Sequence, residues 1–251
     1  MRYIRPQSIE EAAGLLASAA GPAAILAGGS DLLVRMKGGF IEPELIVDIK
    51  AIAGLSEIKE TAEGFSIGAA VPCAVLGENA ALKKAWPGVV EAAKLIGSKQ
   101  VQGRCTIVGN LCNASPAADS VPALVAAGAE AVVAGPNGRR TIPVEAVPTG
   151  PGRTSLAKGE IIEAILLDKR APNAGDAYQR FIPRTEMDIA VVSAGVNLTL
   201  GEAGAIKSAK ICAGACRPID DKRGTIEFRR KVAGVLAKRV ATTAYERAGG
   251  K

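Results

Sequence analysis

The stretch AAILAGGSDLL, residues 23–33, decides how this chain is read. Its apolar run predicts a buried strand that ends at Leu26 and turns through Ala27, Gly28 and Gly29. Glycine lacks a Cβ, so the backbone can turn sharply there and come close to a ligand. Ser30 adds a hydroxyl, and Asp31 and Leu32 open a short helical pattern closed by Gly38-Gly39. A strand, a glycine turn and a helix start leave backbone N–H groups aimed at the turn, which holds a phosphate without side-chain cations. Alone, the stretch reads equally as a plain strand-to-helix turn. It is neither a G-x-G-x-x-G loop nor a G-K-[ST] loop.

A second stretch, CTIVGNLCNASPAADS at 105–120, carries one acid, Asp119, and no Lys or Arg. Gly109, Asn110, Asn113 and Ser115 are small, and the Asn and Ser side chains offer donors to pyrophosphate oxygens. Asp119 can accept from ribose hydroxyls. By itself this segment reads as an Ω-loop. Two glycine loops, each following an apolar strand, are suited to gripping one dinucleotide from two sides.

Outward from these loops the pattern alternates. SIEE at 8–11 is a capping box, Ser8 with Glu11, opening a helix to about residue 19. LIVDI (45–49) is a strand, residues 55–71 form two strands around AEG, and 72–97 form two helices broken at Pro87. A helix follows the small-residue loop, then a hairpin at 129–144 with an Asn-Gly turn and an apolar strand at 160–169. Residues 176–200 give two strands around PRTEMD, 205–214 another strand, and 224–248 one amphipathic helix. Alternation across 1–150 argues for α/β, and antiparallel strands with a terminal helix in 176–251 argue for a separate α+β unit.

Composition narrows the chemistry. The 251 residues are 48% hydrophobic but only 3% aromatic, so aliphatic side chains build the core. Net charge is +6, with bases and acids interleaved; the richest basic run, FRRKVAGVLAKR at 228–239, lacks aromatics for base stacking and reads as a solvated helix face. There is no histidine, which removes Ser-His-Asp and Cys-His catalysis and most catalytic zinc sites. Five cysteines (Cys73, Cys105, Cys112, Cys212 and Cys216) without a C-x-x-C argue against a disulfide framework or an iron–sulfur cluster on this chain. Glu10 and Glu11 stand where the apolar core of a signal peptide would run, and no apolar run reaches membrane-spanning length, so a cytoplasmic chain is expected.

LAGGSDLL followed by TIVGNLCNASPAADS resembles the FAD-binding subunits of the molybdenum hydroxylases, the xanthine dehydrogenase family. YIRPQSIEEA, LIVDI, IGSKQVQGRCTIVGN, GEIIEAI, RTEMDIAVVSAGV and RPIDDKRGTIEFRR extend the likeness over nearly the whole chain. The resemblance implies an α+β fold: a two-part FAD-binding domain of the vanillyl-alcohol oxidase type over 1–172 (parts near 1–54 and 55–172), then a small α+β domain over 173–251 with a three-stranded antiparallel sheet. It places Leu26 to Leu32 and Thr106, Ile107, Val108, Gly109 and Asn110 at the FAD pyrophosphate, with Ser115 close by. It puts Asp119 near the adenosine half, Ile161 or Ile162 in the adenine pocket, and Arg180 near the isoalloxazine.

There are two departures from the family pattern. Val108 stands where the family has a second glycine, and a β-branched side chain there narrows the site. Between SAKICAG and ACRPIDD the family has a further loop and helix, whereas here the pieces meet at Gly214-Ala215, which reads either as a shortened C-terminal domain or as a missing segment.

The implied role is electron transfer. A small partner carries [2Fe–2S] clusters, a large partner carries the molybdenum cofactor, and electrons pass through FAD on this chain to NAD, quinone or oxygen, in a dimer of heterotrimers. Two other readings stay open. One is a self-contained FAD-dependent oxidoreductase of the same superfold, using Tyr178, Glu186 or Asp188 as base. The other is an assembly subunit that has lost FAD. Trp86, the Asp220-Asp221-Lys222-Arg223 run and the pair Cys105 and Cys112 read as packing or turn residues.

Overall fold

The computed structural model describes residues 1–184, 187–214 and 220–250. Glu186 and Cys216 lie outside them.

The chain opens with β1 (Arg2–Ile4), α1 (Ile9–Ser18), β2 (Ala23–Leu26), α2 (Leu32–Lys37) and β3 (Leu45–Asp48). Ser8 caps α1 by accepting from the Glu11 N–H at 3.1 Å, while the Glu11 carboxylate reaches past the cap to the Gln7 N–H. The three strands form a parallel sheet in the order β1-β3-β2. β3 is buried throughout, as LIVD predicts. β2 is not the buried strand its composition suggests: it is an edge strand, and its alternate residues Ala23 and Ile25 face an open cleft.

Next come β4 (Ile58–Glu60), β5 (Gly64–Gly68), α3 (Cys73–Glu78), α4 (Ala80–Ala85), α5 (Pro87–Ala93), α6 (Lys99–Gln102), α7 (Ile107–Cys112), α8 (Val121–Ala127), β6 (Glu130–Gly135), β7 (Gly138–Pro143), β8 (Pro148–Gly150), β9 (Arg153–Thr154) and β10 (Ile161–Asp168). Five of the strands form an antiparallel sheet, β4-β5-β10-β6-β7, with β10 at its centre. The segment 72–97 makes three helices, not two. Besides the break at Pro87, Asn79 stops α3 and turns its side chain to cap the Leu82 N–H of α4. The small-residue stretch is likewise not all loop. Thr106 has extended backbone and accepts the Gly109 N–H at 2.8 Å, which starts α7. α6, not a strand, precedes it. Both sheets share one aliphatic core, in which Ile67, Leu76, Leu111, Leu124 and Ile165 are fully buried.

The last unit comprises β11 (Ala174–Phe181), β12 (Val192–Leu200), β13 (Ile206–Gly214) and α9 (Ile226–Arg247). Its three-stranded antiparallel sheet, β11-β12-β13, has a separate core in which Val191, Val196, Leu236 and Val240 meet. α9 lies on one face and α8 on the other. Both contacts demand glycine: a Cβ on Gly175 would strike the Ala244 carbonyl, and one on Gly195 the Pro122 carbonyl. α9 is less amphipathic than expected, because the buried stripe through Leu236, Val240 and Ala244 is narrow and includes Arg229, which donates to the Val191 carbonyl at 2.8 Å and to Asp221.

The two cores are joined by a polar cluster. Arg170 lies 4.1 Å over the Trp86 ring and 3.3 Å from the buried carboxylate of Asp176. Asp176 also accepts the Val89 N–H at 3.2 Å, and Arg247 of α9 donates to the Asp176 carbonyl and to Glu91. Trp86 is thus a packing residue whose Nε1 donates to the Asp168 carbonyl at 3.2 Å. Among the described residues, no helix is long and apolar enough to cross a membrane.

Candidate cofactor cleft

A cleft of about 490 Å³ runs along the seam between the parallel and antiparallel sheets. That volume falls within the roughly 300–1,000 Å³ of ligand sites. One wall comes from β2 and the turn after it, the other from Cys105 through Asn113, and one end from Leu156 to Ile162.

The first turn needs its two glycines for different reasons. Gly29 has φ +79°, a conformation that L side chains rarely adopt. Gly28 is a close approach: a Cβ there would run into the Arg104 carbonyl oxygen and stand 2.8 Å from Cys105 Cα. Gly28 thus presses the first loop directly onto the chain that enters the second. A second tie closes the clasp, because Asn113 Nδ2 donates to Asp31 Oδ1 at 3.2 Å.

Donors line this clasp. The backbone N–H groups of Ser30, Asp31 and Leu32, and those of Ile107 and Val108, have no partner among the described residues. Asn110 accepts from the Ser120 N–H and hydroxyl through Oδ1, at 3.1 and 2.7 Å, which fixes its amide NH2 as a free donor. α2 and α7 have six residues each, too few for a large macrodipole, so local N–H groups supply the anion preference. Val108 is the second residue of α7, with helical backbone, so its position does not require glycine's conformational freedom; it borders the cleft and is buried with the aliphatic core.

Of the residues singled out from sequence, Ala27, Gly28, Gly29, Ser30, Asp31, Leu32, Thr106, Val108, Gly109, Asn110, Ile161 and Ile162 line this one cleft. Leu26 and Ile107 do not. Leu26 packs beneath the turn, its Cδ1 close to Gly29, and Ile107 points into the core. Ser115 is also outside, its hydroxyl accepting the Ala117 N–H in a local turn. Asp119 and Arg180 are outside too, and they are bonded to each other at 2.8 Å. The two residues expected at opposite halves of the dinucleotide are thus in contact with each other. Burial pushes the Asp119 carboxyl up, against the pull of Arg180.

Sequence reading missed other lining residues. Ala23 and Ile25 carry a visible signal, alternation along β2, that the dense apolar run obscures. Leu16 of α1 and Ala19 just after it, with Lys158 and Glu160, come together only by folding. Glu160 is held by Arg140 through two contacts at 2.7 and 2.8 Å, which keeps its carboxyl below the ordinary range. Nor does the sequence show that Cys105 touches Cys73: the Cys73 N–H donates to the Cys105 carbonyl at 2.8 Å.

Residues 1–168 match the family model described as the FAD binding domain in molybdopterin dehydrogenase. The chain belongs to that family. The carbon monoxide dehydrogenase medium chain of Hydrogenophaga pseudoflava is 30% identical over 278 aligned positions, covering 98% of this chain and 97% of the relative. That span exceeds the 251 residues here, so the relative carries sequence that this chain lacks. The putative xanthine dehydrogenase FAD-binding subunit of Escherichia coli K12 is 30% identical over 79% of this chain and 68% of its own length. Among solved structures, carbon monoxide dehydrogenase from Hydrogenophaga pseudoflava superposes with a TM-score of 0.93 at 29% identity, covering 98% of each chain. This member of the family is therefore a flavoprotein subunit of a molybdopterin-type oxidoreductase, with FAD as its cofactor. The free donors and the glycine clasp fit a dinucleotide, whose centre is anionic.

Proposed function

We propose that the cleft holds FAD with its pyrophosphate between the turn at Gly28–Leu32 and the start of α7, and that this chain relays electrons between partner subunits and an external acceptor. The observation that carries the reading is the contact of Gly28 with Arg104–Cys105, which brings two sets of unpaired N–H groups to face one space. Two negative charges placed there meet donors on both sides and need no lysine. Ile161 and Ile162, with Leu16 and Leu156, give the apolar end suited to adenine.

The other end leads toward the C-terminal unit. Asn110 is bonded to Ser120, whose neighbour Asp119 is paired with Arg180 of β11. We assign the flavin ring to this side. Arg180 then supplies a fixed positive charge whose Nη1 is held by Asp119 and by the Leu95 carbonyl at 2.7 Å. FAD supplies the redox chemistry, while the protein supplies binding, orientation and electrostatics. Two units meet at this end, and we take them as domains of residues 1–172 and 173–251.

The electron donor in this reading is a partner with [2Fe–2S] clusters, fed by a partner holding the molybdenum cofactor, in a dimer of heterotrimers. NAD, quinone or oxygen is the acceptor, and the complex is cytoplasmic. A self-contained oxidoreductase is disfavoured by two of its three candidate bases. Asp188 is paired with Arg184 at 3.2 Å and held low by it, and Tyr178 is buried with its phenol pushed above the ordinary range by that burial. Among the described residues, no group of three acids or cysteines is placed to hold a metal.

The test is to purify the chain with whatever follows it, then denature the complex and chromatograph the released molecules against FAD and FMN. One FAD per chain, and partner chains that carry iron, are expected. FMN, or FAD turnover of an organic substrate by the isolated chain, contradicts the reading.

A further inference from the structure

We infer that Cys73 and Cys105 form an oxidisable dithiol at the wall of the cleft, one that closes to a disulfide under peroxide and is shielded when FAD fills the site. The geometry meets the demands of a disulfide. With 2.8 Å between Cys73 N and Cys105 O, standard bond lengths keep the two Cα atoms within about 6.7 Å. The backbone bond from the Cys73 N–H to the Cys105 carbonyl holds the two residues side by side. Cys73 begins α3, and Cys105 precedes the cap of α7, so one bond would staple a helix of the antiparallel half to the second loop.

The two cysteines have different access. Cys105 lines the cleft and keeps 3% of its surface exposed, whereas Cys73 is wholly buried, so an oxidant in the cleft meets Cys105 first. The hydrogen bond from Cys73 lowers the Cys105 thiol, against burial and the carboxylates of Asp31 and Asp119, and the same bond raises Cys73. Its place on the cleft wall makes Cys105 the attacking sulfur and Cys73 the resolving one. Cys112 also lines the cleft, but burial pushes its thiol up to about 12.

The chemistry balances with hydrogen peroxide as oxidant. The Cys105 thiolate attacks one peroxide oxygen, the O–O bond breaks, and hydroxide leaves with the proton as water, giving a sulfenic acid. The Cys73 sulfur then attacks the Cys105 sulfur and expels a second water. In total, two thiols and one peroxide become one disulfide and two waters, and a dithiol reductant reverses the step. The shielding half of the inference rests on the FAD reading above.

The experiment uses the full chain, stripped of FAD and reloaded, treated with hydrogen peroxide and digested without reductant. FAD retention is measured first. The expected result in the stripped chain is a peptide linking Cys73 to Cys105, with both thiols lost. With FAD at about ten times its Kd, the linking rate should fall roughly tenfold, as mass action on a shielded site requires. In Cys73→Ser, Cys105 should instead run on to sulfinic acid. No Cys73–Cys105 peptide in either form, or equal linking rates with FAD bound and removed, overturns the inference. A chain that retains no FAD overturns the cofactor reading and the shielding, while a linked peptide from the same sample still sustains the pair.

Discussion

Arg180 of β11 reaches out of its own sheet and donates from a single nitrogen to the Asp119 carboxylate at 2.8 Å and the Leu95 carbonyl at 2.7 Å. Both charged side chains are largely withdrawn from water. Breaking such a pair strands the remaining charge at a cost of about 3–5 kcal/mol, whereas replacing both members with apolar groups is often close to neutral. Arg180→Met and Asp119→Leu should each lower the urea-unfolding free energy by roughly that amount, and the double variant should lose far less than the sum. Simple additivity would mean that the pair does not couple the two units.

Thr106 and Val108 separate folding from cofactor binding. Thr106→Ala removes the cap of α7 and should cost about 1 kcal/mol. Val108→Gly restores the family's residue, yet Val108 already has helical backbone. The variant should lose about 1 kcal/mol in helix propensity, plus the burial of its side chain, and gain no FAD. A rise in FAD content would show that the valine side chain obstructs the cleft.

Asp176 predicts a pH dependence. Burial raises its carboxyl to about 6, although Arg170 and the Val89 N–H favour the charged form. Folding therefore takes up a proton at this site in the window between about 6 and the unfolded value of 3.8. A raised pKa contributes stability below that window and loses it as pH rises through about 6. The effect is up to about 3 kcal/mol for one group. The stability difference between the natural chain and Asp176→Asn should shift in favour of the natural chain as pH falls from 7 to 4. A flat difference would place the proton elsewhere.

Much of this molecule was legible in the sequence because local chemistry governed it. The cap at Ser8, the turn at Gly28-Gly29 and the apolar β10 follow from near neighbours. The errors came where distant chain intervenes. The composition of β2 is that of a buried strand, but its partner lies on one side only and the cleft on the other. The helix in CTIVGNLC is hidden by glycine and asparagine, and its start depends on one threonine hydroxyl. The pairing of Asp119 with Arg180, 61 positions apart, comes from β11 packing against earlier chain and has no local signal. The closeness of Cys73 and Cys105 has no local signal, since 31 residues running through α3 to α6 part them.

The clasp at Gly28 is the centre of the account, and one titration tests it. FAD is added to the flavin-stripped natural chain and to Gly28→Ala, with tryptophan and flavin fluorescence read together and the fold checked by circular dichroism. The account predicts one FAD per natural chain and at least a roughly hundredfold weaker Kd in a folded Gly28→Ala, equivalent to about 2.8 kcal/mol. Equal affinity in the two would contradict it, because the added methyl group cannot fit while Gly28 lies against Arg104.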